Sequence, residues 1–178
     1  HTPEVKEQME SSGIPVFVDY SSYEKKPLGR TEWVKLYGLL SGKEEEATAA
    51  FDREKEAFEQ ISQDKATGKT VAFFYITSNG EVNVRKASDY LPKMIEMAGG
   101  SYILKQDEED DSVSSTMSMD MESFYAAAKD ADYIIYNSTV DGEISTVDEL
   151  TEKSGLLEHF KAVEEGNVYC TSKNLYQS

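Results

Sequence analysis

The sequence has few of the residues on which disulfides, metal sites and catalysis usually depend. It contains one cysteine, Cys170, among 178 residues, so no disulfide can form within the chain. Its two histidines, His1 and His159, are too few for the His-rich sites that hold zinc directly. No G-x-S-x-G, P-loop or dinucleotide fingerprint is present. We therefore expect no enzyme activity, no resident cofactor and no metal held by protein ligands.

Positive charge is also scarce. The chain has 18 Lys and Arg residues against 34 Asp and Glu residues, which gives a net charge of −16. Nucleic-acid binders draw much of their affinity from cations that neutralise phosphates, so this balance argues against a nucleic-acid partner. It argues equally against docking on an anionic membrane surface. No apolar run among the 178 residues is long enough to span a bilayer, and none reads as a signal peptide.

Short apolar runs alternate with helical patterns from Thr70 onwards. The predicted strands are 70–76, 101–104, 133–137 and 167–170. The predicted helices are 87–100, 118–131 (with Ser118 as its cap) and 145–166, the last with a break at Gly155. Strands that alternate with helices predict a mostly parallel sheet covered by helices. The fold class is therefore α/β.

The earlier part of the chain predicts one more strand and three helices. Residues 3–13 have the pattern of a helix that ends at a glycine, and "IPVFVDY" (14–20) has that of a buried strand. In the following helix an apolar face is formed by Trp33, Leu36, Tyr37 and Leu40. A long helix is then predicted from about Lys43 to Lys65.

The two last helices of this part are separated only by Ser41 and Gly42. Gly42 can adopt the left-handed conformation that ends a helix. Ser41 and Glu44 have the S-x-x-E spacing of a capping box, which would begin the long helix. We interpret residues 1–42 as the last βα piece of a first lobe, 43–66 as a linking helix, and 67–178 as a second α/β lobe. Both ends have the pattern of a longer chain, so we expect most of the first lobe to lie outside these residues.

Four blocks of the sequence resemble the substrate-binding proteins of ABC importers for iron-siderophores, cobalamin and heme. They are "GIPVFVDYSSYEKKPLGRTEWVKLYGLLSGKEEEA", "GKTVAFFYITSNGEVNVRKASDYLPKMIEMAGGSYIL", "SMDMESFYAAAKDADYIIYN" and "LLEHFKAVEEGNVYCTSKNLYQ". The resemblance implies a ligand held between two lobes that a long helix keeps nearly fixed. It also implies an ABC permease as partner, and a receptor that is periplasmic or lipid-anchored outside the cell membrane.

Candidate ligand contacts in the second lobe follow from strand ends, since ligands of open α/β sheets bind beyond the carboxyl ends of the strands. The candidates are Ser78, Asn79, Arg85, Lys86, Tyr90 and Asn137. Arg85 leads because a guanidinium matches the carboxylate or catecholate anions of a ferric siderophore or heme. Tyr90 could stack on a flat ligand, while the alternative for Arg85 is a surface ion pair.

The loop after 14–20 would face the same cleft from the first lobe. Its candidates are Tyr20, Tyr23 and Arg30, and residues 20–43 carry five Lys or Arg against two Glu. A local charge of +3 in an acidic chain could attract an anionic ligand. The alternative is that these basic residues only form the solvent-exposed start of a helix. Arg30 could instead simply order the loop.

Two other classes of protein remain open. One is a doubly wound α/β enzyme or regulatory domain, because a fold alone does not fix a function. The other is a protein-interaction module. If the strand at 14–20 lacks its sheet neighbours, its edges and apolar side chains would favour pairing, so we expect residues 3–40 to self-associate and the piece 1–178 to bind no chelate tightly.

Overall fold

The computed structural model describes residues 3–61, 66–105 and 114–172. The helices are α1 (Pro3–Ser11), α2 (Pro27–Ser41), α3 (Glu44–Ile61), α4 (Tyr90–Met97), α5 (Met121–Ala128), α6 (Ser138–Asp141), α7 (Val147–Thr151) and α8 (Lys161–Glu164), with 3-10 turns at Ser21–Tyr23 and Gly155–His159. The strands are β1 (Thr70–Ile76), β2 (Val82–Arg85), β3 (Ser101–Tyr102), β4 (Thr116–Met119), β5 (Tyr133–Tyr136) and β6 (Val168–Cys170).

The strands form one sheet in the order β4-β2-β1-β5-β6, with β3 paired to the start of β1. β3 and β5 run parallel to β1, and β6 runs parallel to β5. Among the described strands, β2 is antiparallel to both of its neighbours, β1 and β4, because a tight turn at 77–81 folds it back on β1. The expected α/β fold with a parallel-rich sheet is confirmed.

One face of the sheet carries the hydrophobic core. Phe74 and Tyr136 on this face are 1% and 0% exposed. The Phe74 ring lies 4.6 Å from that of Phe124 in α5, which in turn lies 5.6 Å from that of Phe160. Because side chains alternate along a strand, Tyr75, Asn83, Arg85 and Thr116 lie on the opposite face. All four are only partly buried, so this second face is the more open one.

A buried carboxylate joins three elements at the start of β1. Asp132 Oδ1 lies 2.8 Å from Lys161 Nζ and 3.1 Å from Lys69 Nζ, and its Oδ2 accepts a 2.9 Å hydrogen bond from the Thr70 backbone N–H. The hydrogen bonds from Lys161 and Thr70 hold the pKa of Asp132 well below its usual range. Asp132 thereby links α8 and β1 to the start of β5.

Helices α2 and α3 form an αα-hairpin around Gly42. Gly42 has φ +70° and ends α2 as predicted. Gly38 is buried where the two helices cross. The helices approach so closely here that a Cβ on residue 38 would lie 2.4 Å from Ala47 Cβ. Nearby, Lys35 Nζ lies 3.9 Å from the centroid of the Phe51 ring. The long helix is continuous from Glu44 to Ile61, and its predicted end at 62–65 lies outside the described residues.

The strand predicted at 14–20 is wrong. This segment takes no helical or strand structure, and Ile14 and Phe17 are 49% and 56% exposed. A strand exists only when its backbone is paired, and no described strand lies beside it. The apolar face predicted on α2 is likewise largely uncovered, with Tyr37 and Leu40 43% and 67% exposed.

Both predicted serine caps are also wrong. Ser41 is the last residue of α2, and its Oγ donates to the Tyr37 carbonyl instead of capping α3. Ser118 lies within β4, and Asp120 caps α5 by accepting from the Ser123 N–H at 2.7 Å. Residues 116–119 pair with β2, and neither of these two strands is predicted from the sequence.

The helical stretch predicted at 145–166 has its break where it was expected, at Gly155, but it contains less α-helix than predicted. It is divided into α7, a 3-10 turn and α8, because the chain leaves helical geometry at Ser154 and again at Phe160. Both of these residues have extended backbone angles. The acidic run "DEEDD" (107–111), whose composition predicts a solvated loop, lies outside the described residues.

Candidate ligand-binding site

Arg85 is the last residue of β2 and lies on the more open face of the sheet. Its Nη1 lies 3.3 Å from Ser115 Oγ and 3.5 Å from Asp89 Oδ2, and the side chain is 11% exposed. The Tyr102 hydroxyl donates a 2.9 Å hydrogen bond to the Arg85 carbonyl. Burial raises the pKa of Tyr102, so this hydroxyl stays protonated and can donate. The backbone and the guanidinium of Arg85 are thus both held.

Tyr90, the first residue of α4, brings two predicted ligand contacts together. The guanidinium carbon of Arg30 lies 4.0 Å from the centroid of the Tyr90 ring, and that of Arg85 lies 5.9 Å from it. Both distances fall within the range of cation–π attraction. The ring of Tyr90 therefore joins a cation from α2, sixty residues earlier in the sequence, to a cation from β2.

Arg30 also orders the loop before α2. Its Nε donates to the Glu24 carbonyl at 3.1 Å, and its Nη2 donates to the Ser22 carbonyl. The alternative role that the sequence left open, loop ordering, is therefore present in the geometry. Since the same side chain stacks on Tyr90, it attaches this loop to the start of α4.

A pocket of about 130 Å³ opens beside Arg85 on the same face of the sheet. Its lining residues are Phe73, Tyr75, Asn83, Val84, Arg85, Thr116, Asn137, Thr139 and Val140. Asn137 is 3% exposed, and its Oδ1 accepts hydrogen bonds from the Thr139 N–H at 3.2 Å and hydroxyl at 2.6 Å. Asn137 therefore shapes the pocket as the cap of α6.

The other candidates lie in different settings. Lys86 is 8% exposed, and its backbone N–H donates to the Ser115 carbonyl at 2.9 Å. Ser78 and Asn79 are exposed in the turn between β1 and β2. Tyr20 and Tyr23 are 51% and 54% exposed beside α2, with ring centroids 6.0 Å apart. The contacts among the described residues thus unite Arg30, Tyr90 and Arg85. As ligand contacts, all of the candidates, these three included, stay predictions.

Three residues that the sequence did not single out complete the arrangement. Asp89 pairs with Arg85, Tyr102 holds its carbonyl, and Thr116 lies opposite it in the sheet. Asp89 could have been noticed in the sequence, because an aspartate near the start of a helical pattern is a common helix cap. Tyr102 and Thr116 reach Arg85 only through strand pairing, for which the local sequence holds no signal.

A helical hairpin, α2 and α3, thus leads into an α/β unit, and the more open face of its sheet carries Arg85 beside Tyr90 and Arg30. Residues 3–175 match the family model described as periplasmic binding protein. The chain belongs to this family. No helix among the described residues has the length and apolar character needed to cross a membrane.

The chain is similar to several proteins that are longer than the region it matches. It is 32% identical over 168 residues to an uncharacterised lipoprotein of Methanocaldococcus jannaschii, covering 93% of this chain and 38% of that protein. Its fold is similar to the periplasmic heme-binding protein HutB of Vibrio cholerae, with a TM-score of 0.75, 17% identity and coverage of 97% and 64% of the two chains. It is also similar to an ABC-type Fe³⁺-hydroxamate transport protein of Saccharomonospora viridis, with a TM-score of 0.70, 16% identity and coverage of 93% and 57%. The chain thus spans about two fifths of its curated relative.

Proposed function

We propose that the protein is the solute receptor of an ABC importer, and that it binds an iron-siderophore or a similar chelate such as heme or cobalamin between two lobes. The observation that carries the proposal is the meeting of Arg30 and Arg85 on the ring of Tyr90. Arg30 precedes the linking helix α3 in the sequence, and Arg85 follows it. A ligand that lies against this cluster would contact both parts of the chain at once.

The chemistry of the cluster favours an anionic chelate. Guanidinium groups present planar, permanently charged donors that match carboxylates and catecholates. The chain as a whole carries a charge of −16. Arg85 lines the pocket, and Arg30 lies against the same ring as Arg85, so positive charge exceeds the one carboxylate of Asp89 here and favours an anion. Within the cluster, Arg85 is the primary ligand contact and Tyr90 is the stacking surface. Arg30 adds charge while it holds its own loop.

The wider role follows from the family. The receptor captures its ligand without chemical change and delivers it to a membrane permease, so it is not an enzyme. It works outside the cytoplasm, either in the periplasm or attached to the outer face of the cell membrane by a lipid, as the lipoprotein relative supports. We also propose that a piece limited to residues 1–178 self-associates through residues 3–40, where Val5, Ile14 and Phe17 are each about half exposed.

A titration of the full-length protein tests the proposal. The panel is ferric tris(2,3-dihydroxybenzoate), ferric citrate, a neutral ferric trihydroxamate, heme and cobalamin, with tryptophan emission followed. We expect saturable binding of at least one chelate, and Arg85→Ala should weaken an anionic one by about 1.5–3 kcal/mol, the range of a charge-assisted hydrogen bond.

The matched control is Arg53→Ala, because Arg53 is exposed on α3 and carries the same charge. It should leave the affinity unchanged. Absence of binding across the panel would refute the receptor proposal. Binding that survives Arg85→Ala at full strength, in a variant with the same circular dichroism, would remove Arg85 from the site.

A further inference from the structure

Asp89 occupies a helix cap but does not cap. It stands directly before α4 with extended backbone angles (φ −70°, ψ 163°), yet its side chain accepts no capping hydrogen bond. Asp120 and Thr146 occupy the same position before α5 and α7, and each accepts from the N–H three residues further on. In α4 that third residue is Pro92, which has no N–H. The sequence itself therefore removes one of the usual partners of the Asp89 carboxylate.

The carboxylate is directed at the candidate site instead. Asp89 Oδ2 lies 3.5 Å from Arg85 Nη1, and the two side chains are 5% and 11% exposed. No donor within the described residues reaches this oxygen with hydrogen-bond geometry, so the contact with Arg85 is an ion pair. A buried carboxylate is costly unless a nearby opposite charge offsets it. Capping of α4 does not explain why an aspartate occupies this position.

We propose that Asp89 is a positioning residue that holds the Arg85 guanidinium between Tyr90 and the pocket, ready for an anionic ligand. This inference rests on the proposed function. Arginine has a long side chain with many rotamers, and ordering it at the moment of binding opposes association. The ion pair with Asp89 sets that order in advance. Because a guanidinium has five N–H donors, Arg85 can keep this partner and still bind a ligand oxygen.

Substitutions at Asp89 separate positioning from simple charge repulsion. If the carboxylate positions Arg85, Asp89→Asn should weaken binding of ferric tris(2,3-dihydroxybenzoate) by about threefold to tenfold, the cost of ordering one such side chain. Asp89→Glu keeps the charge but moves it by one methylene, so it should weaken binding as well. If the carboxylate only repels or competes with an anion, Asp89→Asn should bind more tightly and Asp89→Glu should bind like the wild type.

The matched control is Asp120→Asn in the same full-length protein. Asp120 is also an aspartate at a helix cap, but it lies outside the site and is exposed. This control should lose some thermal stability and keep its affinity for the chelate, since its carboxylate serves only the helix. Equal affinities for Asp89→Asn and the wild type, or tighter binding by Asp89→Asn, would overturn the positioning role.

A second measurement does not need a ligand. In NMR spectra of the unliganded full-length protein, the Arg85 Nε–Hε signal should be sharp and slow to exchange with water in the wild type and in Asp120→Asn. In Asp89→Asn its exchange should become several-fold faster, because the guanidinium loses its buried partner. If the wild type binds no member of the panel, the receptor proposal fails, and this signal alone decides whether Asp89 orders Arg85. An unchanged Arg85 signal in Asp89→Asn would overturn the inference.

Discussion

The crossing of α2 and α3 at Gly38 leads to a specific prediction about stability. In Gly38→Ala the new Cβ would lie 2.4 Å from Ala47 Cβ and 2.9 Å from the Lys43 carbonyl oxygen. Carbon atoms in contact are normally about 3.5–4.0 Å apart, so the helices would have to separate by about 1 Å. Overpacking of this kind costs about 1–3 kcal/mol, and a backbone oxygen cannot rotate away, which favours the upper half of that range. The higher helix propensity of alanine returns about 1 kcal/mol. We expect a net loss of about 1–2 kcal/mol.

Urea unfolding, followed by circular dichroism and by tryptophan emission, measures this loss. Gly29→Ala is the matched control on the same helix, because its new Cβ would meet only side-chain atoms of Glu24, the nearest at 2.7 Å, which can rotate aside. That variant should be at least as stable as the wild type, by up to about 1 kcal/mol, because it has the same gain in helix propensity without a clash against backbone. The reasoning is refuted if Gly38→Ala is as stable as Gly29→Ala, since the close approach of the two helices would then have no energetic weight.

Two further predictions concern stability against acid and the state of association. Because the pKa of Asp132 is lowered in the folded protein, its contribution is fully present above the unfolded value of about 4 and is lost as the pH falls below it. The difference in melting temperature between the wild type and Asp132→Asn should therefore shrink between about pH 5 and pH 2, and a constant difference over that interval would contradict the role of Asp132. A piece limited to residues 1–178 should associate in sedimentation equilibrium at high micromolar concentration. A clean monomer in which 14–19 is protected from hydrogen exchange would contradict the predicted association and the exposure of that segment.

Features that depend on local chemistry could be predicted from the sequence. Gly42 ends α2 because a glycine reaches the left-handed conformation without steric cost, and that property belongs to the residue itself. The apolar run 70–76 lies at the centre of the sheet because a strand buried on one face and half-buried on the other needs such side chains. Arg85 could be named for its charge and its place after a strand.

Features that depend on pairing between distant segments could not be predicted in the same way. The stretch 14–20 has a strand composition but no strand beside it, so its composition does not decide its structure. Met117 and Met119 alternate with polar residues along β4, and this period of two was read as the start of a helix. The contact of Arg30 with the ring of Tyr90 joins residues of α2 and α4 and could not be predicted from either segment alone. Each of these outcomes depends on which segments meet in space.

The stack of Arg30 on Tyr90 also bears on the order in which the chain folds. Sixty residues separate the two side chains in sequence, and closing a loop of that length costs about 4 kcal/mol in chain entropy. A single cation–π contact gives back only about 0.5–2 kcal/mol, so it cannot close the loop by itself. Most of the intervening chain must first be shortened by the hairpin of α2 and α3 and by the sheet around β1. We therefore expect the segment before α2, which Arg30 holds by its carbonyls, to acquire its place last and to lose it first, and native-state hydrogen exchange that is slower there than in β1 would contradict this.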